Sequence, residues 1–202
     1  MPLWGATDSD ESKPKNLTTA QKKQVFANAS GWVLEAGSAL SGNDNTDADP
    51  EVLVAIGELS TSIGAADITE VEMVTTTADK SEGFTISVRV RYNEPVDVVT
   101  TGGTPTLAVT NDNSGTGSGR GPHTLSYASG TGTNELIFSL AIAAANAATN
   151  ADDVLSVGAQ TIALNSGTIK DASGTASDAA LVISGAVGTA ACLLYTSDAA
   201  DE

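Results

Sequence analysis

The chain is short of the residues that catalysis and metal binding usually draw on. Its 202 residues include one histidine, one cysteine and only 4% aromatics. So few His and Cys cannot build the ligand cluster of a zinc site. Any Ser-His-Asp arrangement would have to use His123, which shares a strand face with Leu125 and Tyr127 and reads as a packed or edge histidine. Basic residues are also scarce, nine against 25 Asp and Glu, giving a formal net charge of -16. That balance argues against a nucleic-acid partner, which needs clustered Lys and Arg. There is no 18-residue apolar run, so no membrane span is expected. The opening MPLWGATDSDESKPK is acidic and lacks an apolar h-region, so no secretory signal is expected either.

What the chain does contain is β-pattern. From Phe84 to Val98, FTISVRVRYNEPVDV, the residues Phe84, Ile86, Val88, Val90 and Tyr92 alternate with Thr85, Ser87, Arg89 and Arg91. A helix would scatter those apolar residues around its circumference, whereas a strand places them on one face. Asn93-Glu94-Pro95 is expected to turn the chain, because Pro95 cannot donate to a ladder. Further strands are expected over 68–75, 96–99, 104–110, 123–127, 135–142, 154–157, 161–164 and 181–184, with a short pairing at 168–170. Seven or more short strands separated by Gly-rich turns within about 120 residues read as an all-β sandwich.

Residues 1–50 are an N-terminal arm and linker, mostly irregular, with a short helix over 20–29 capped by Thr18 or Thr19 and ended by Gly31. Residues 51–65 connect, and Glu51 to Ile63 fits both strand and helix periods, with a strand favoured. Residues 66–191 form the sandwich. The final segment, CLLYTSDAADE, resembles in-frame translation of the adapter DNA of transposase-based sequencing libraries, so residues 192–202 read as non-native. Without Asp198, Asp201 and Glu202 the charge moves from -16 to -13, still strongly acidic.

No catalytic set can be assigned. The loop Gly115 to Gly121 matches no nucleotide fingerprint and reads as a flexible connection, with Arg120 solvated at its tip. Calcium is the one cofactor the oxygen-rich turns could hold. The candidates are Asn93, Glu94 and Asp97 at one turn, Asn111 and Asp112 at a second, and Asp152 and Asp153 at a third. None follows a known calcium loop, and solvated turns are the plainer reading. Adjacent acids such as Asp152 and Asp153 diverge on a strand, which disfavours a two-carboxylate hydrolase. Trp4 and Trp32 either pack on the domain or anchor a partner, since large rings in a polar arm carry burial energy.

Four stretches resemble a bacterial immunoglobulin-like (cadherin-like) surface repeat in their order: VRVRYNEPVDV, GGTPTLAVT, HTLSYASGTGTNELIFSLAI and ALNSGTIKDASGT, within a resemblance that covers residues 68 to 187. The whole chain, with MPLWG, GWVLEAG and EVLVAIGEL, is similar to small virion proteins of tailed marine bacteriophages. The resemblance implies an immunoglobulin-like β-sandwich without catalytic residues, located in a virion assembled in the host cytoplasm. It would decorate a capsid, or less directly serve a tail or neck, with capsid or tail proteins or further copies of itself as partners. The alternative from another class is a carbohydrate-binding or cell-surface adhesion module recognising a host glycan.

Overall fold

The structure, a computed structural model, describes residues 13–14, 16–113, 122–144, 149, 153–173, 176–191 and 194–195. The protein is all-β. Its central strand is β5, Gly83–Val99. The alternation seen in the sequence continues to the far end of this strand, so that Ile86, Val88, Val90, Tyr92, Glu94 and Val96 all face inward and are buried. The expected turn at Asn93-Glu94-Pro95 is therefore not a turn. Against β8 (Thr133–Ala143) the register passes from Arg91↔Glu135 to Val96↔Thr133, five residue steps on β5 for two on β8. Pro95 sits in this irregular stretch, where its missing N–H breaks no ladder bond.

One edge of β5 is shared by β4 (Ile68–Met73) and β11 (Thr168–Asp171). On the other edge β8 is followed by β7 (His123–Ser129), β6 (Thr106–Asn113), β9 (Asp153–Ser156) and β13 (Leu194–Tyr195). The β6 strand pairs with β7 over Thr106–Val109 and with β9 over Thr110–Asn113. Ile169 of β11 and Leu155 of β9 lie near opposite ends of this order, yet they belong to one buried cluster with Val88, Leu107, Leu125 and Phe138. The sheet must curl around that core. A two-stranded ladder of β10 (Gln160–Thr161) and β12 (Val182–Ile183) brings Ile162 and Ile183 into the same cluster. Fully burying each aliphatic side chain contributes roughly 1.5–3 kcal/mol. The hairpin between β7 and β8 is tied locally. The Thr131 N–H donates to the Tyr127 hydroxyl at 2.9 Å, and Gly130 takes φ +112 where a Cβ would lie 1.9 Å from the Glu135 carbonyl oxygen.

The amino-terminal region departs most from expectation. Among its described residues only Thr19–Lys22 is helical (α1), opened by a capping box between Thr18 and Gln21. The chain then forms a hairpin of β1 (Val25–Asn28) and β2 (Gly31–Leu34), extended by β3 (Glu51–Ala55) into a three-stranded sheet. Asn28 Oδ1 accepts the Ser30 N–H, and Gly31 at φ +133 passes so close to β3 that a Cβ would meet the Val54 oxygen at 2.0 Å. Asn-x-x-Gly here marks a hairpin, whereas the helix expected over 20–29 would have placed Val25 and Phe26 on a polar surface. Trp32 is 1% exposed and packs with Val25, Ala27, Leu34 and Leu59, the last from a 3-10 turn at Leu59–Thr61.

At the other end, α2 (Gly185–Ala191) follows β12, and Leu194–Tyr195 pair with β9. Among the described residues no helix is long and apolar enough to cross a membrane.

Candidate functional site

Two groups of polar side chains are held by β5, one on each face. On its outer face the register sets Glu72 opposite Arg89 and Glu70 opposite Arg91 across β4, with Glu135 opposite Arg91 across β8. Arg91 Nη1 donates to Glu70 Oε2 at 2.6 Å and its Nε to Glu135 Oε1 at 2.5 Å. Arg89 donates to Glu72 Oε2 at 2.6 Å and to Glu135 Oε2 at 3.3 Å. The amino-terminal sheet lies over this face. Its Glu35 carboxylate comes within 3.4 Å of Arg91 Nη2 and accepts from Asn134 Nδ2 at 3.0 Å, while Lys23 Nζ donates to Glu70 Oε1 at 2.6 Å.

Burial opposes the charge on Arg91, but the hydrogen bond to Glu135 and the charges of Glu35 and Glu70 outweigh it and hold its pKa above the usual value. Burial pushes the Glu35 carboxyl up, with Arg91 pulling the other way. For Glu70 burial is overcome by the hydrogen bonds from Lys23 and Arg91, and its pKa falls. Burial lowers Lys13 to about 8 against the pull of Glu35 and Glu70, and its ammonium donates to the Lys22 carbonyl at 2.6 Å.

A cleft of about 750 Å³ opens beside this seam, lined among others by Phe26, Glu35, Thr46, Arg91 and Asn134. Its charged wall is already neutralised from within, since Arg91 reaches carboxylates on β4, β8 and the amino-terminal sheet at once. The seam is therefore a joint between the two sheets more than a ligand site. No family model, curated protein or solved structure matches this chain.

On the inner face of β5, Glu94 is 0% exposed. Its Oε2 lies 3.3 Å from the Ser173 hydroxyl oxygen, which is in turn 2.6 Å from both Asp171 Oδ1 and the Ser60 carbonyl oxygen. Glu94 Oε1 has no hydrogen-bond partner. Burial first, and the nearby Asp171 carboxylate second, push the Glu94 carboxyl up to about 8.

The other candidates are dispersed. Asn93 and Asp97 alternate with Glu94 along a continuing strand, so they face away from it; Asn93 Oδ1 accepts the Asp67 N–H at 2.7 Å, and Asp97 is exposed. They do not share a turn with Glu94, because there is no turn. Asn111 and Asp153 are buried on β6 and β9. Asp152, Trp4, Arg120, the 115–121 loop and the Asp112 side chain lie outside the described residues. Among the described residues no three His, Cys, Asp or Glu side chains converge as metal ligands. His123 is buried, with Nε2 at 3.2 Å from Asn111 Nδ2 and 3.0 Å from Thr149 Oγ1, and burial lowers its pKa. Thr149 is itself fully buried.

Trp32 packs in the core of the amino-terminal sheet and is not free to anchor a partner. The arginine seam was missed because Arg89 and Arg91 read as a wet strand face. The signal was present in the matching alternation of Glu70 and Glu72 in TEVEM and in Glu135 of NEL. For Ser60, Asp171 and Ser173 no local pattern pointed to Glu94, since they approach it from segments far away in sequence.

Proposed function

We propose that the chain is a non-enzymatic structural and binding module: a virion accessory protein of a tailed bacteriophage, displayed as capsid decoration. In this reading the curled β-unit is an immunoglobulin-like sandwich, as the order of the four motif stretches suggests. The observation that carries the proposal is the seam at Arg91. A second sheet is ion-paired onto the outer face of the first through Glu35 and Lys23, and the charged groups there serve the joint. Such a frame suits load-bearing display, and an acidic surface keeps neighbouring copies soluble and apart. Docking through Trp32 is not part of this reading, and the described lysines Lys13 and Lys23 are engaged within the chain. The ring is buried, Lys23 pairs with Glu70, and Lys13 is turned to the Lys22 carbonyl. The capsid is the first partner, and a tail or neck protein the second.

The test mixes the full chain with particles of the encoding phage that lack it, and follows co-sedimentation, with a glycan array probed in parallel. Saturable binding to particles with no glycan signal is expected. Saturable glycan binding without particle binding would replace this reading with the adhesion module.

A further inference from the structure

Four oxygens from three distant segments meet at the inner face of β5. They are a Glu94 carboxylate oxygen, an Asp171 carboxylate oxygen, the Ser173 hydroxyl and the Ser60 main-chain carbonyl. The hydrogen count does not close. The Ser173 hydroxyl has one proton, yet it stands 2.6 Å from two acceptors, Asp171 Oδ1 and Ser60 O, and 3.3 Å from a third, Glu94 Oε2. Asp171 Oδ1 already accepts the Ser173 N–H at 2.6 Å. Glu94 Oε1 is buried with no partner at all. The charges acting on Glu94, Asp171 and Asp67, are both negative. Among the described residues no positive charge acts on Glu94, and a buried oxygen without a partner is costly to a fold.

We propose that Glu94, Asp171, Ser173 and the Ser60 carbonyl form a calcium site. The ligand chemistry is hard and all-oxygen, two carboxylates with a carbonyl and a hydroxyl, which suits calcium and offers nothing to zinc or copper. Calcium holds its ligands at roughly 2.3–2.6 Å, so neighbouring ligand oxygens lie roughly 2.7–3.5 Å apart. The Ser173 contacts of 2.6 to 3.3 Å are close to that spacing, and a slight expansion of the cluster admits the ion. Magnesium demands a stricter octahedron and gives up its water reluctantly, so it is the weaker ligand here. Asp67, exposed and close enough to act on Glu94, adds negative charge at the rim.

The consequence is mechanical. Ser60 belongs to the 3-10 turn that packs under Trp32 in the amino-terminal sheet, Glu94 to β5, and Asp171 and Ser173 to the end of β11. A bound ion therefore ties the two sheets together on the side opposite the arginine seam. This inference does not depend on the virion reading, and its failure would leave that reading standing.

The test is calorimetric titration of the full chain, stripped with EDTA, with calcium chloride, alongside thermal melts in calcium and in EDTA. One site per chain is expected, with a midpoint several degrees higher in calcium and at least tenfold weaker binding of magnesium chloride. Glu94→Gln keeps the shape but not the charge, so it should fold and lose at least tenfold in calcium affinity. Asp171→Asn should do the same, and Asp47→Asn in the exposed loop before β3 should bind as the parent chain does. The proposal is overturned if the parent chain shows neither heat nor a midpoint shift at 10-fold millimolar excess, or if Glu94→Gln and Asp171→Asn both bind calcium undiminished.

Discussion

Replacing Arg91 by alanine gives the sharpest test of how the two sheets are joined. The Arg91 side chain is 12% exposed, and it stands within ion-pairing distance of Glu35, Glu70 and Glu135, whose side chains are 14%, 9% and 26% exposed. Its removal leaves Glu70 the Lys23 ammonium but leaves Glu35 only the Asn134 amide. Removing one partner from a buried network costs about 3–5 kcal/mol, because the remaining charge stays desolvated. Arg89→Ala disturbs a more open pair, since Glu72 is 41% exposed, and should cost about 1 kcal/mol or less.

Urea unfolding of the full chain measures both losses. Hydrogen exchange should show β1 to β3 loosening in Arg91→Ala before β5 and β8. The deficit should shrink as the pH falls. Without Arg91, Glu35 leans further toward its protonated form, which the folded state then holds more tightly than the unfolded chain does. If both variants lose less than about 1 kcal/mol, or exchange rises uniformly across both sheets, the seam does not hold the two sheets together.

Two further perturbations test the core and the histidine. Val88→Asp, mid-strand on the inner face of β5, buries a charge without a partner and should cost several kcal/mol in the same assay; a loss near that of Arg89→Ala would mean the strand faces are assigned wrongly. His123, the single histidine, has its pKa lowered by burial, so an NMR titration of its ring should give a midpoint below about 6.5. The unfolded chain takes up the proton first, so this contribution to stability is lost as the pH drops through about 6.5 toward the folded value. A midpoint at or above 6.5 would show that the ring is not held neutral between Asn111 and Thr149.

Much of the β-unit was legible along the chain because burial on one face of a strand leaves a period of two. ITEVEM, FTISVRVRY and ELIFSLAI each declare their inner face, and the structure places Val71, Val88 and Phe138 in one core. Turn chemistry was legible where glycine had a geometric task, as at Gly130. The same local logic failed where tertiary contacts decide. Asn93-Glu94-Pro95 looks like a stop, but the ladder skips residues there and β5 continues. VFANASGWVL reads as a helix followed by an apolar cluster, yet both faces of that hairpin are buried, one on Leu59 and the other toward β5, so no amphipathic pattern remains to be seen. The alternation of Arg89 and Arg91 specifies only that they lie on the outer face. Whether that face meets water or a second sheet depends on what folds over it. The convergence of Ser60, Glu94, Asp171 and Ser173 likewise exists only once β5 and β11 are paired and the 3-10 turn is docked. Spacing along a chain records local periodicity, while residues more than seventy positions apart are brought together by packing alone.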